Sequence, residues 1–156
     1  MIAALRGEFA FVAKAELEGQ FFAGRFLRGI GAAFVERFDA ERGVADAQRS
    51  SAIARGGRSL AFFPEGTFTR MPGLLPFHMG AFSIAAELGL PVVPVSIVGT
   101  RSLLRAGSWF PRRGAVRVVI GDPVAPKGEG WSAAVALRDV ARTEILRQLG
   151  EPDLER

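Results

Sequence analysis

Short apolar runs recur along the chain, and most are followed by a stretch with a different, helical spacing. The runs cover residues 8–13, 33–35, 59–63, 92–98 and 116–120. They are too short for fully buried helices, and two end at breakers: Phe63 runs into Pro64, and Ile120 into Gly121-Asp122-Pro123. Runs of this kind read as buried strands. Between them, residues 14–30 carry Leu17, Phe21 and Gly24 on one helical face and Phe22, Phe26 and Ile30 on another. Further helices are expected over residues 44–55, closed by Gly56-Gly57, over 80–88, ended by Gly89 and Pro91, and over 132–149. The last has an apolar stripe of Ala134, Leu137, Ala141, Ile145 and Leu149, with Arg138 and Arg142 on its polar face. Strands alternating with helices specify an α/β domain with a largely parallel, or mixed, sheet flanked by helices. Ligands of such sheets bind off the C-terminal ends of the strands. That directs attention to Glu36-Arg37, Glu65-Gly66-Thr67 and Gly99-Thr100-Arg101.

A length of 156 residues accommodates one domain with a real core. The expected organisation is a single domain over residues 1–150 and a frayed tail over 151–156. Cysteine is absent, which excludes disulfides and thiolate chemistry, and a single histidine, His78, excludes a His-rich or Cys/His metal cluster. The net charge is +4, and only Lys14 and Lys127 among the 20 basic residues are lysines. Arginine suits bidentate contact with phosphate. The charge is spread along the chain with no basic run, so it argues for no nucleic-acid partner. No apolar stretch reaches the roughly 18–20 residues that span a bilayer.

The sharpest local feature is Phe63-Pro64-Glu65-Gly66-Thr67-Phe68-Thr69-Arg70. Pro64 stops a strand ladder, and Gly66 lets the backbone turn and approach a ligand. Thr67 and Arg70 can donate to an anion, and Glu65 can accept from a hydroxyl. Taken alone, the segment is either a polyol-phosphate-binding turn or a well-capped strand-to-loop connection. A second feature, Gly31-Ala32-Ala33-Phe34-Val35-Glu36-Arg37, puts an arginine after the preceding strand. If the two strands are adjacent, Arg37 and the Glu65 turn face one crevice. A third, Leu90-Pro91-Val92-Val93-Pro94-Val95-Ser96-Ile97-Val98-Gly99-Thr100-Arg101, is a buried strand with prolines at its start and a tight turn after it.

In this order the three features resemble the glycerol-3-phosphate and 1-acylglycerol-3-phosphate O-acyltransferases. That family has four sequence blocks. Residues 31–37 resemble the second (Gly-x-x-Phe-x-x-Arg), residues 63–70 the third, and the strand around Pro94 the fourth. Phe11-Val12-Ala13-Lys14-Ala15-Glu16-Leu17 and Pro76-Phe77-His78-Met79-Gly80-Ala81-Phe82 match the connecting text. The resemblance implies an acceptor held by Arg37, Glu65, Gly66 and Thr67, with Phe34 and Glu36 nearby, and Pro94 shaping the acyl-donor side. The arginine that usually follows Glu-Gly-Thr is Phe68 here, so either Arg70 takes the phosphate or the acceptor preference differs. The implied reaction moves a fatty acyl group from acyl-CoA or acyl carrier protein to a lysophospholipid, most simply 1-acylglycerol-3-phosphate, giving phosphatidic acid. No cofactor is implied.

The family's first block, His-x-x-x-x-Asp, supplies the general base and the acid that orients it. It is expected upstream of Phe11-Val12-Ala13-Lys14, and this sequence starts too late to hold it. His78 lies after the third block with Ser83 five residues on, so it reads as a residue at a helix start or a substrate edge. The expectation is an N-terminal truncation, with Met1-Ile2-Ala3-Ala4-Leu5 the remnant of the preceding helix and a tendency to poor solubility. The alternative is a non-catalytic lipid- or phosphate-binding module of the same fold. The resemblance also implies a peripheral protein on the cytoplasmic face of the membrane. Phe21, Phe22, Phe26 and Leu27 with Arg25 and Arg28, or Trp109 and Phe110 beside Arg112-Arg113, are candidates for touching that surface.

Overall fold

The computed structural model describes residues 9–14, 33–35, 40–67, 69, 71–103 and 112–155. Arg6–Phe63 forms one compact unit, and a second contains Pro64–Arg156.

In the first unit, β1 (Phe9–Lys14), β2 (Ala33–Val35) and β3 (Ser59–Ala61) make a parallel sheet in the order β2-β1-β3. β1 is central. Its C-terminal half pairs with β2 (Val12 with Ala33, Lys14 with Val35), and its N-terminal half with β3 (Phe9 with Ser59, Phe11 with Ala61). The strands preceding the two site segments are therefore separated by β1 rather than adjacent. Parallel neighbours need a crossover, and α1 (Ala40–Arg55) lies against both β2 and β3. It begins ahead of the expected residue 44 because Ala40, Glu41 and Arg42 are strong helix formers, and Gly43 is tolerated in a first turn. Ala10 of β1 and Ser50 and Ser51 of α1 are buried. The helix expected over residues 14–30 lies outside the described residues, except that Lys14 ends β1.

The second unit contains α2 (Gly80–Glu87), β4 (Val95–Val98), α3 (Thr100–Leu103), β5 (Arg117–Ile120) and α4 (Gly130–Leu149). β4 and β5 pair antiparallel, from Val95 with Ile120 to Val98 with Arg117. The expected strand over 92–98 is broken at Pro94, which has no N–H to donate. The Pro94 carbonyl accepts from Gly121 N–H at 2.8 Å, and Val92 exchanges bonds of 2.9 and 2.8 Å with Val124 beyond it.

The core of this unit lies between α2, α4 and the segment before α2: Leu74, Phe77, Phe82, Ala85, Ala86, Ala133, Ala134, Leu137 and Ala141. Its alanines let the two helices approach closely, and the Phe77 and Phe82 rings stack with centroids 6.1 Å apart. The expected α4 stripe holds, with Ile145 and Leu149 packed against the same cluster.

Two expectations are corrected. Arg142 is not on a polar face: it is 6% exposed. The tail is not frayed through residues 151–155. Leu74 N–H donates to Pro152 O at 2.9 Å, Leu154 N–H to Leu74 O at 3.0 Å, and Gly73 N–H to Glu151 Oε2 at 2.8 Å. These bonds run the tail parallel to Leu74 as one further β-bridge, Leu74 with Asp153. Both departures have one cause: the chain turns back after α4 and brings Asp153 and Glu155 onto Arg142.

Candidate functional site

The segment after Phe63 is a loop closed at its base, where His78 N–H donates to Pro64 O at 2.9 Å. Inside it, Glu65 is half-buried and its Oε2 accepts from Leu75 N–H at 3.0 Å. The carboxylate is thereby aimed, with its remaining acceptor capacity unspent by that bond. Gly66 is buried with φ 73°, a left-handed conformation that residues with a Cβ rarely adopt. Thr67 is exposed, so a half-buried carboxylate, a buried close-approach glycine and an exposed hydroxyl follow one another along the loop.

The far side of the loop is tied down by distant residues. Arg101, just past β4, donates to Met71 O and pairs with Glu151 at 3.4 Å. Gly73, at φ 140°, lies under Leu154: a Cβ there would sit 2.5 Å from Leu154 Cγ. Arg142 Nη2 donates to Leu74 O at 3.2 Å and to Asp153 Oδ1 at 2.6 Å. Its Nε is 2.7 Å from Glu155 Oε2 but its N–H is not directed at that oxygen, so the contact is an ion pair rather than a hydrogen bond. The guanidinium also lies over the Phe77 ring, 5.7 Å from its centroid. The Asp153 hydrogen bond holds the Arg142 pKa above its ordinary value against the opposing effect of burial, and the charges of Glu155, Asp153 and Glu65 add to the rise.

Of the residues the resemblance assigns to the acceptor, Glu65, Gly66 and Thr67 are contiguous on this loop. Phe34 lies in β2, where its backbone pairs with Ala13. Glu36, Arg37 and Arg70 lie outside the described residues, as do Trp109 and Phe110. Pro94 is fully buried directly before β4. His78 is exposed two residues before α2, at a helix start as expected. The sequence reading missed Leu75, Arg142 and the tail. The available signal was an arginine beside the Ala141 position of an apolar stripe, followed after a glycine by Asp153 and Glu155.

Two open clefts lie along β5 and α4, lined by Asp122, Glu144 and Arg147 among others. Glu144 and Arg147 are spent on one another: Glu144 accepts from Arg147 at 3.0 and 2.7 Å and also from Gln148 at 2.8 Å, and the Arg147 bond is the main cause of its lowered pKa. Among the described residues, no group of three His, Cys, Asp or Glu converges as a metal site would require.

The sequence model of the Acyltransferase family matches residues 1–98. The chain is 37% identical over 116 residues to the chloroplastic 1-acyl-sn-glycerol-3-phosphate acyltransferase BAT2 of Brassica napus, covering 74% of this chain and 32% of that protein. It is 32% identical over 142 residues to the chloroplastic 1-acyl-sn-glycerol-3-phosphate acyltransferase LPAT1 of Arabidopsis thaliana, covering 90% of this chain and 38% of that one. The crystal structure of the 1-acyl-sn-glycerophosphate acyltransferase PlsC from Thermotoga maritima superposes with a TM-score of 0.73 at 29% identity, over 95% of this chain and 58% of that chain. A strand-ending loop carrying Glu65-Gly66-Thr67, set in an α/β architecture and joined to these matches, places the chain in the Acyltransferase family. The chain spans about a third of the length of the plant relatives it matches.

Proposed function

We propose that the protein of which these residues form part transfers a fatty acyl group from acyl-CoA or acyl carrier protein to a lysophospholipid. The favoured acceptor is 1-acylglycerol-3-phosphate, the substrate named for the plant relatives, and the product is then phosphatidic acid. In this reaction the acceptor hydroxyl oxygen forms an ester bond with the thioester carbonyl carbon. The hydroxyl proton passes to a general base, the C–S bond breaks, and the departing thiolate takes up that proton to leave as the thiol. No acyl-enzyme is needed, so a chain without cysteine is no obstacle.

The observation that carries this reading is the Glu65 carboxylate, half-buried and oriented by Leu75 N–H, directly beside buried Gly66 and exposed Thr67. In the proposal Glu65 accepts from an acceptor hydroxyl. Gly66 lets the headgroup approach the backbone, and Thr67 donates to it. By the resemblance, Arg37 and Arg70 serve the phosphate, Phe34 and Glu36 belong to the same sequence block as Arg37, and Pro94 shapes the donor side. The acceptor is an amphiphile, so the protein works peripherally at a membrane surface, on its cytoplasmic face. No helix among the described residues is long and apolar enough to cross a membrane.

The test is acyl transfer to lysophosphatidic acid, measured for this chain and for one extended upstream in frame. Glu65→Ala in the active form is expected to reduce kcat/KM for the acceptor by about a hundredfold, the upper scale of one lost hydrogen bond to a charged group. Kinetics unchanged from the parent would remove Glu65 from the site. Inactivity of the extended form on every lysophospholipid and on glycerol phosphate would remove the acyltransferase reading.

A further inference from the structure

Three parts of the second unit meet at one peptide group, Leu74–Leu75. Its carbonyl oxygen accepts from Leu154 N–H at 3.0 Å and from Arg142 Nη2 at 3.2 Å. Its N–H donates to Glu65 Oε2 at 3.0 Å. A trans peptide is planar, so its C=O and N–H point in opposite directions and turn together. Whatever fixes the Leu74 carbonyl therefore fixes the direction in which the Leu75 N–H meets Glu65. Both bonds to the carbonyl also polarise the amide in the sense that strengthens donation by its N–H.

Arg142 is suited to hold that carbonyl still. Its guanidinium lies over Phe77 and is anchored by Asp153 and Glu155, so its planar fork has little freedom to swing away. The anchors belong to the tail that also supplies the Leu154 N–H. A core that needed only volume at this place would be served by an apolar side chain, without the desolvation that a buried guanidinium incurs.

We propose that Arg142 is a positioning residue for Glu65, acting through the Leu74–Leu75 peptide, and that the tail over residues 151–155 is the clamp that holds it. The inference rests on the reading of Glu65 as an acceptor-holding carboxylate and adds to it. Acceptor affinity depends on the C-terminal end of the chain, far in sequence from the Glu65 turn.

The experiment measures binding of 1-acylglycerol-3-phosphate, in mixed detergent micelles, to the full chain by titration calorimetry. The variants are Arg142→Met, Glu65→Gln, both together, and Arg142→Lys, each checked for a folded baseline by thermal unfolding. Arg142→Met is expected to weaken binding by about tenfold, and Arg142→Lys to retain part of the affinity. In the Glu65→Gln background the Arg142→Met loss should vanish, because the carboxylate to be positioned is gone. A role confined to packing gives the same loss in both backgrounds and overturns the proposal, as does wild-type affinity in Arg142→Met. Should Arg142→Met not fold, Asp153→Asn with Glu155→Gln keeps the guanidinium and removes its anchors. A several-fold loss that depends on Glu65 then supports the proposal, and wild-type affinity or a loss independent of Glu65 overturns it. Failure of the underlying reading looks different: Glu65→Gln alone then binds as tightly as wild type, which overturns both.

Discussion

Gly73 shows how much of the site rests on single backbone positions. Its φ of 140° is closed to side chains, and the space its Cβ would need is filled by Leu154. Gly73→Ala is expected to destabilise the protein by about 1–3 kcal/mol through backbone strain and overlap, read as a lower urea midpoint at unchanged slope. Adding Leu154→Ala should recover the overlap but not the strain, so the double variant is expected to lie between Gly73→Ala and wild type. Wild-type stability in Gly73→Ala would show that the loop yields freely. At this scale the sequence was legible where chemistry and geometry coincide in neighbouring residues. Pro64, Glu65, Gly66 and Thr67 announce a turn with a carboxylate in it, and the structure puts that carboxylate on Leu75 N–H. The partner itself was not legible. A backbone N–H carries no sequence signature, and ten positions separate Glu65 from Leu75.

Elements were easiest to read where burial is one-sided. The α4 stripe of Ala134, Leu137 and Ala141 is buried as its spacing requires. Leu137→Ala is expected to cost about 2–5 kcal/mol, as for other large-to-small changes in a packed core, measured by chemical denaturation. Two features at the same scale escaped the reading because they depend on contacts remote in sequence. Pairing of β5 against β4 is antiparallel, which strand-forming residues alone do not specify. The tail over residues 151–155 is polar and terminal, the composition of a frayed end, yet its backbone completes a bridge with Leu74. Amide exchange distinguishes the two descriptions. The Leu154 and Leu74 N–H groups are expected to exchange far more slowly than an unstructured terminus, because both are donated to carbonyls. Exchange of Leu154 at the free-peptide rate would restore the frayed tail and remove the clamp on Arg142.

For the whole molecule, the informative quantity is charge. A net +4 carried by 20 basic and 16 acidic residues favours anionic surfaces without naming one. Several of the arginines are paired within the chain: buried Arg142 with Asp153 and Glu155, and, at the surface, Arg101 with Glu151 and Met71 and Arg147 with Glu144. Arg112, Arg113 and Arg117 are exposed, close in sequence to Trp109 and Phe110. As a sequence segment, two aromatics followed by three arginines has the composition that suits a lipid headgroup layer rather than a duplex, and the expectation is testable. Co-sedimentation with vesicles of mixed phosphatidylglycerol and phosphatidylcholine should therefore have two parts. One falls as salt rises from ~0.1 M to ~1 M and the screening length shrinks from about 10 to 3 Å. The other survives high salt and is lost in Trp109→Ala with Phe110→Ala. Retention on duplex DNA has no such apolar part and should vanish across the same salt range. Vesicle binding that disappears entirely with salt, in step with DNA retention, would leave charge alone as the cause and would count against a membrane-surface role for this segment.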